Sequence, residues 1–428
     1  MTQPLLSICI PTYNRADMLA YCLENLRALD AHGIDYEIVV VDHASTDDTP
    51  RVLQEAAKRW PNVRHHRQAH SVGIERQVTA CLRMGRGKFT VYVADDDKII
   101  PGKLVEYVHY LDAHPEASVL YTPWWAYDDA NGKILHGYFE VPHRATFRLT
   151  QPLELLNFVA SHMIWLESGI YRSDALHAVL IARADGPYQA FFTAYALLEK
   201  GEVVFEKEPY YLEIAVTQPR FTRKVRMNEQ INLSYLDPIR AGIEIMVERL
   251  LRRQGILQVP DDMRAKLHEM LLSYAHHRLS VAFRRALGAK QLPLASEIAQ
   301  RLMLWRGMFR ADLPQIGREL YAPAGIQAVA QLAGSMTWLT QVYVHGFAQA
   351  EGVVAILREA LPGLPARAAE ASEILADPSP QNVLVMVRDP ADRAPFLDGG
   401  LLPGNVVALK DMADFYQILP GDFSLDGL

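Results

Sequence analysis

The chain has 428 residues, half of them hydrophobic and 22% charged, which suits a folded protein with sizeable cores. Single cores rarely grow past about 250–300 residues, so two or three domains are expected. The net charge is −7, from 43 Lys and Arg against 50 Asp and Glu. A mildly acidic chain is poorly built to neutralise a phosphate backbone, so nucleic-acid binding is set aside as its main task.

In chain order, the first hundred residues alternate strand and helix signals. "LLSICI" is a short apolar strand ended by Pro11 and the turn-forming "TYNR". "ADMLAYCLENLRAL" places Met18, Leu19, Cys22, Leu23, Leu26 and Leu29 at helical spacing. "YEIVVVD" is a continuous β-branched run, as in a parallel strand covered on both faces. "STDDTPRVLQEAAKRW" starts with polar caps and continues as a helix. "NVRHHRQ" is a weaker strand, "GIERQVTACLRMG" a helix and "KFTVYVAD" a strong strand. Repeated strand–helix–strand units predict a parallel sheet with right-handed crossovers. Ligands of such sheets sit outside the carboxyl ends of the strands.

From about Ser118 the pattern is mixed. "SVLYTPWWAYDDANGKIL" reads as one strand, a turn at Asn131-Gly132 and a second strand; "GEVVFEKEPYYLEIA" reads as a strand pair. Beyond about Met227 strand signals stop and helices are expected to about Ala376, followed by a tail with one or two strands. The expected divisions are 1–226, 227–376 and 377–428.

Cys9, Cys22 and Cys81 are odd in number, lack metal-ligand spacing and lie in apolar surroundings, so they read as reduced core thiols. "MTQPLLSICIPTYNR" shows no basic region followed by an apolar one, so no signal peptide is expected. No run reaches the roughly 18 apolar residues of a membrane span. A reducing cytoplasm is the expected compartment.

Asp42 follows "EIVVV", and Asp95, Asp96 and Asp97 follow "FTVYVA". Both acidic groups fall at strand carboxyl ends. Three contiguous carboxylates form either a solvated turn or a site for a hard divalent cation, Mg²⁺ or Mn²⁺, which takes oxygen ligands and completes its shell with substrate phosphates.

"SICIPTYNRADMLAYCLENL", "EIVVVDHASTDDT" and "GKFTVYVADDDKIIPGKL" resemble, in order and spacing, the N-terminal half of a family 2 glycosyltransferase. The likeness covers roughly residues 4–215; "ADDD" is similar to the "SDDD" of abequosyltransferase-like members that decorate bacterial O-antigens. The resemblance implies a GT-A fold, a Rossmann-like α/β domain that binds nucleotide-diphosphate sugars, here followed by a mainly helical C-terminal domain. It implies an inverting, metal-dependent transfer to a hydroxyl of a glycan or lipid-linked acceptor.

By that resemblance Pro11, Thr12, Tyr13 and Arg15 form the loop that embraces the nucleotide, and Asp42 contacts the base or ribose. The usual "DDGS" or "DNGS" reads "DHAS", with His43 and Ala44 as departures. Gly73 matches the glycine of an "NxG" segment in which Ser71 replaces Asn, and Arg76 joins the donor-binding set. Alignment on "IIPG" puts Ala94 where a standard "DADD" has its first aspartate, so Asp96 is the expected direct metal ligand, with Asp95 or Asp97 assisting.

An inverting transfer needs a carboxylate to take the acceptor proton. Where the family places "ED", this chain has Gln189 and Ala190. Asp185, in "ARADGPYQ", and Glu167, in "HMIWLESGIY", are the candidate bases; a turn or surface role is the alternative for each. Trp124 and Trp125 are candidates to stack on the acceptor, against the plainer split of one ring into the core and one partly outward. Arg220, Arg223, Lys224 and Arg226 read as a phosphate-clamping lid or a solvated linker. "HHRLSVAFRRALGAKQ" and "RLMLWRGMFR" are basic and amphipathic, suited to peripheral contact with the inner membrane face or, more plainly, to packing. A non-catalytic sugar-nucleotide-binding module and a nucleotidyltransferase are the competing readings. The latter usually has a Gly-rich loop with Lys after its first strand, where this chain has "PTYNR".

Overall fold

The computed structural model describes residues 3–70, 74–180, 189–219, 221, 236–306, 313–363, 365–417 and 425. It divides into two compact units, residues 1–225 with 234–275, and 226–233 with 276–428.

The first unit is built on an eight-stranded sheet. Strands β1 (Leu6–Thr12), β2 (Tyr36–Asp42), β3 (Val63–Arg67) and β4 (Phe89–Tyr92) are all parallel, in the order β3-β2-β1-β4. β1 and β2 are buried along their whole length, in keeping with their mainly apolar runs. Ile38 and Val40 share one core with Leu19, Cys22 and Leu23 of helix Ala16–Leu26 and with Leu104, Val108 and Leu111 of helix Pro101–Ala113. On the opposite face Cys81, from helix Ile74–Met84, lies 3.6 Å from the Val39 carbonyl. All three cysteines are buried and free, as expected.

Past β4 the strand directions are mixed, in keeping with the mixed pattern from about Ser118. β5 (Lys98–Ile99), β6 (Ala117–Tyr121), β7 (Trp124–Asp128), β8 (Lys133–Gly137), β9 (Ala145–Phe147), β10 (Gly169–Arg172), β11 (Glu202–Phe205) and β12 (Tyr211–Val216) divide between two sheets. β10 inserts between β4 and β6, antiparallel to both, and β11 and β9 complete the large sheet. β5-β12-β7-β8 form a four-stranded sheet of their own. The expected single strand through "SVLYTPWWAYDD" is therefore two. Thr122-Pro123 interrupts it, since proline has no N–H for a ladder, and the halves join different sheets. The turn at Asn131-Gly132 is present, with Gly132 at φ +67° and Asp128 accepting from the Asn131 backbone N–H.

The second unit holds a parallel sheet of β13 (Gln341–His345), β14 (Ala366–Ala368), β15 (Val383–Val387) and β16 (Val406–Ala408), ordered β14-β13-β15-β16. β13 and β14 correct the expectation of helix alone up to residue 376. "QVYVH" is five residues of alternating β-branched and aromatic side chains, too short to stand out beside long helices such as Leu313–Ser335. Among the described residues no helix is long and apolar enough to cross a membrane.

Gly87, just before β4, shows why a glycine stands there. A Cβ would lie 2.6 Å from the Ser7 nitrogen and 2.7 Å from the Leu6 carbonyl carbon, while its own N–H donates to Ser7 Oγ at 2.7 Å. Gly87→Ala should force β1 and β4 apart and destabilise the protein by about 1–3 kcal/mol, read as a lower urea midpoint.

Candidate active site

The carboxyl ends of β1, β2 and β4 converge because Thr12 pairs with Asp42 across one ladder and Cys9 pairs with Tyr92 across the other. Pro11 and Thr12 end β1, buried; Tyr13 and Arg15 follow, half-buried. Buried Gln77 ties the two strand ends together, donating to the Thr12 carbonyl at 2.9 Å and the Val41 carbonyl at 3.2 Å. The sequence reading missed it, although a polar residue on the inward face of an amphipathic helix is a readable signal.

Asp42 is fully buried. Its Oδ1 accepts the Ser45 N–H at 3.0 Å, whereas Oδ2 has no hydrogen-bond partner among the described residues and meets Arg67 Nε at 3.5 Å. His43 sets Nδ1 2.8 Å from Gln68 Oε1 and meets the Tyr13 ring edge-on, with centroids 5.7 Å apart. Ala44 takes φ +61°, a left-handed backbone that favours glycine, and Asn14 takes +51°. The "DHAS" turn thus carries backbone strain at Ala44.

The aspartate triplet is not a solvated turn. Asp95 and Asp97 are 4% and 7% exposed. Thr12 donates to Asp95 Oδ2 at 2.6 Å, and Arg15 reaches Asp95 Oδ1 and Asp96 Oδ2, each at 2.8 Å. Asp97 turns the other way, accepting from the Tyr211 hydroxyl at 2.7 Å and the Ile214 N–H at 2.9 Å. Burial pushes the Asp95 carboxyl up to about 6; the Asp96 charge adds to this, while Arg15 and Thr12 oppose it. Asp97 is pushed well above the usual range by burial, then by Asp96 and Glu213. Burial works against the Arg15 cation, but Asp95 and Asp96 more than offset it and hold it protonated.

Among the described residues no group of three or more His, Cys, Asp or Glu is arranged to hold a metal. A Mg²⁺-type site needs no such group, because one or two carboxylates and the substrate phosphates suffice. The donor set here is all oxygen, so the chemistry of Asp95 and Asp96 fits a hard cation.

The other expected residues scatter. Trp124 packs into an aromatic cluster with Tyr138, Trp165 and Tyr211, at centroid distances of 4.6, 5.4 and 6.3 Å. Trp125, on the other face of β7, lies against Gly137. Both tryptophans are half-buried, and Arg76 is exposed. Gly73, Asp185 and the basic residues Arg220, Arg223, Lys224 and Arg226 lie outside the described residues. Glu167 is half-buried just before β10. Since β10 runs antiparallel to β4, the residues preceding Gly169 lie at the sheet edge where β4 gives way to Asp95.

Residues 7–172 match the model of Glycosyl transferase family 2. An uncharacterised protein of Mycobacterium tuberculosis is 36% identical over 102 residues, covering 24% of this chain and 31% of that protein. Abequosyltransferase RfbV of Salmonella typhimurium is 29% identical over 117 residues, covering 26% and 34%. The chain thus spans about a third of the length of each. The fold is also similar to that of S. aureus TarS 1–349 crystallised with UDP-GlcNAc, at TM-score 0.46 and 16% identity, over 70% of this chain and 80% of that one.

Arg15→Ala would strand two buried carboxylates, and a destabilisation of about 3 kcal/mol at pH 8 is expected. Because the folded-state value of Asp95 is raised, its charged form is the unfavourable one. The loss should shrink as pH falls from 8 toward about 6, because the variant's Asp95, without Arg15, takes its proton at a higher pH than the wild type's. Chemical denaturation of both proteins from pH 8 to pH 5 checks this.

Proposed function

We propose that the chain, whose residues 7–172 match the family 2 glycosyltransferase model, transfers a sugar from a nucleotide-diphosphate donor to a hydroxyl of a glycan or lipid-linked acceptor. The transfer proceeds with inversion and metal assistance, in bacterial surface polysaccharide synthesis. It is assigned to residues 1–226. The observation that carries this reading is the lock between the loop after β1 and the acidic turn after β4. Thr12 and Arg15 hold Asp95 and Asp96 at the sheet's carboxyl edge, with β1 lying between them and a buried Asp42 oxygen that has no hydrogen-bond partner among the described residues.

In this reading Asp42 and Tyr13 receive the nucleoside, with Pro11, Thr12, Gly73 and Arg76 around it. Asp96, flanked by Asp95, holds Mg²⁺ or Mn²⁺. When bound, the cation supplies positive charge to the diphosphate leaving group. Arg15 keeps the two carboxylates together and adds a second positive charge near the phosphates. Trp124 and Trp125 flank the acceptor side, and a carboxylate there takes the acceptor hydroxyl proton. The antiparallel course of β10 supports Glu167 for that role; Asp185 is the other candidate. The relative RfbV is named an abequosyltransferase, and that name supports a bacterial glycan as the setting.

Gln189 and Ala190, at the place where "ED" is usual, favour a second reading, a module that binds sugar nucleotides without turnover. A thermal-shift panel of UDP, GDP, CDP and dTDP, each with Mn²⁺ or EDTA, tests the shared donor site. One diphosphate should raise the midpoint in the presence of metal alone, since a ligand that binds the folded state stabilises it by mass action. No shift with any of the four sinks both readings. With the matching sugar nucleotide, Glu167→Gln should lower kcat by about 10²–10⁴-fold while leaving diphosphate binding unchanged. An unchanged kcat transfers the role to Asp185, and no turnover by the wild type on any glycan acceptor favours the binding module.

A further inference from the structure

The aspartate turn is held from behind by one phenol. β4 ends at Tyr92, and the Val93 N–H still bonds the Cys9 carbonyl of β1 at 3.0 Å. The next N–H, that of Ala94, has left the ladder and donates instead to the Tyr211 hydroxyl at 3.0 Å. That same hydroxyl donates its own proton to Asp97 Oδ2 at 2.7 Å. Asp97 Oδ1 accepts the Ile214 N–H at 2.9 Å, and the Asp97 N–H closes the turn onto the Ala94 carbonyl at 3.2 Å. Immediately downstream, β5 pairs with β12, and the Ile100 N–H reaches the Tyr210 carbonyl at 2.7 Å. Both ends of the four-residue turn 94–97 are therefore fastened to β12.

The three aspartates divide into two jobs by direction. Asp95 and Asp96 face Thr12 and Arg15 on the donor side, and both Asp97 oxygens are engaged by β12. We propose that Tyr211 is a positioning residue: its hydroxyl, clamped between the Ala94 N–H and Asp97, sets the shape in which the turn presents Asp95 and Asp96 to the diphosphate and its cation. This inference rests on the donor-site reading above. Tyr211 is 4% exposed and packs against Trp124, so its ring belongs to the core while its oxygen belongs to the site. Its neighbour supplies a matched control. Tyr210 is fully buried, and its hydroxyl lies 3.0 Å from Ser168 Oγ, with no tie to the aspartates.

The test compares wild type, Tyr211→Phe and Tyr210→Phe in the full-length chain. Phenylalanine keeps the ring and removes one buried hydrogen-bonding oxygen in each case. Calorimetric titration with the nucleoside diphosphate selected by the thermal-shift panel, in Mn²⁺, should show binding weakened about tenfold in Tyr211→Phe, the scale of one lost buried hydrogen bond. Tyr210→Phe should bind as wild type does despite a comparable fall in melting temperature. Amide exchange at Ala94 and Asp97 should quicken in Tyr211→Phe alone. Wild-type affinity in Tyr211→Phe, or an equal loss in Tyr210→Phe, overturns the positioning role and leaves the donor site standing. Failure of the wild type to bind any diphosphate removes the donor-site reading, and the positioning role with it. Should Tyr211→Phe not fold, Asp97→Asn takes its place. Faster exchange at Ala94 supports the latch, and wild-type protection there with lost binding makes Asp97 a direct ligand instead.

Discussion

Everything at the candidate site depends on how buried carboxylates are kept from repelling one another. Removing a carboxylate from water is costly, and placing three in sequence multiplies the cost. The chain answers with a partner on each side. Arg15 bridges Asp95 and Asp96 from the loop after β1, and Tyr211 and the Ile214 backbone take Asp97 from β12. Burial still outweighs these partners and leaves the Asp95 and Asp97 carboxyls raised. In the function proposed above, a cation at this turn would relieve a cost already built into the fold.

The half of the chain that carries the site was legible because its signals are local. A short apolar run marked β1, a continuous β-branched run marked β2, helical spacing marked the helix after β1, and the acids at the ends of β2 and β4 stood out as candidates for a site. What lay hidden was long-range. No pattern in "EPYYLEIA" says that Tyr211 will reach back 114 residues to Asp97 while Tyr210 faces Ser168. Strand alternation separates the two tyrosines, but only the pairing of β12 with β5 tells which meets the aspartates. Likewise Pro123 was readable as a break, whereas the assignment of its two flanks to different sheets was not.

The tryptophan pair shows the same division. Alternation along β7 sends Trp124 and Trp125 to opposite faces, as adjacent strand residues must go. Trp124 then joins Tyr138, Trp165 and Tyr211, residues drawn from separate stretches of the chain. This cluster shares Tyr211 with the aspartate turn, so the aromatic wall and the acidic turn are fastened to a single strand. In the second unit, β13 escaped notice for a different reason: five residues between long helices offer too short a window for a period of two to assert itself.

The insertion of β10 between β4 and β6 bears on the order of assembly. β3, β2, β1 and β4 are all synthesised by residue 92, and β6 by residue 121, yet the strand that fills the gap begins only at Gly169. Through that interval the β4 edge has no partner strand from this sheet, and it carries the apolar Phe89 and Val91. Unpaired edges of this kind recruit other chains. Completion of the sheet therefore waits on a pairing distant in sequence, which is slow to form. The newly made chain is most vulnerable to association with its neighbours in the window before β10 arrives.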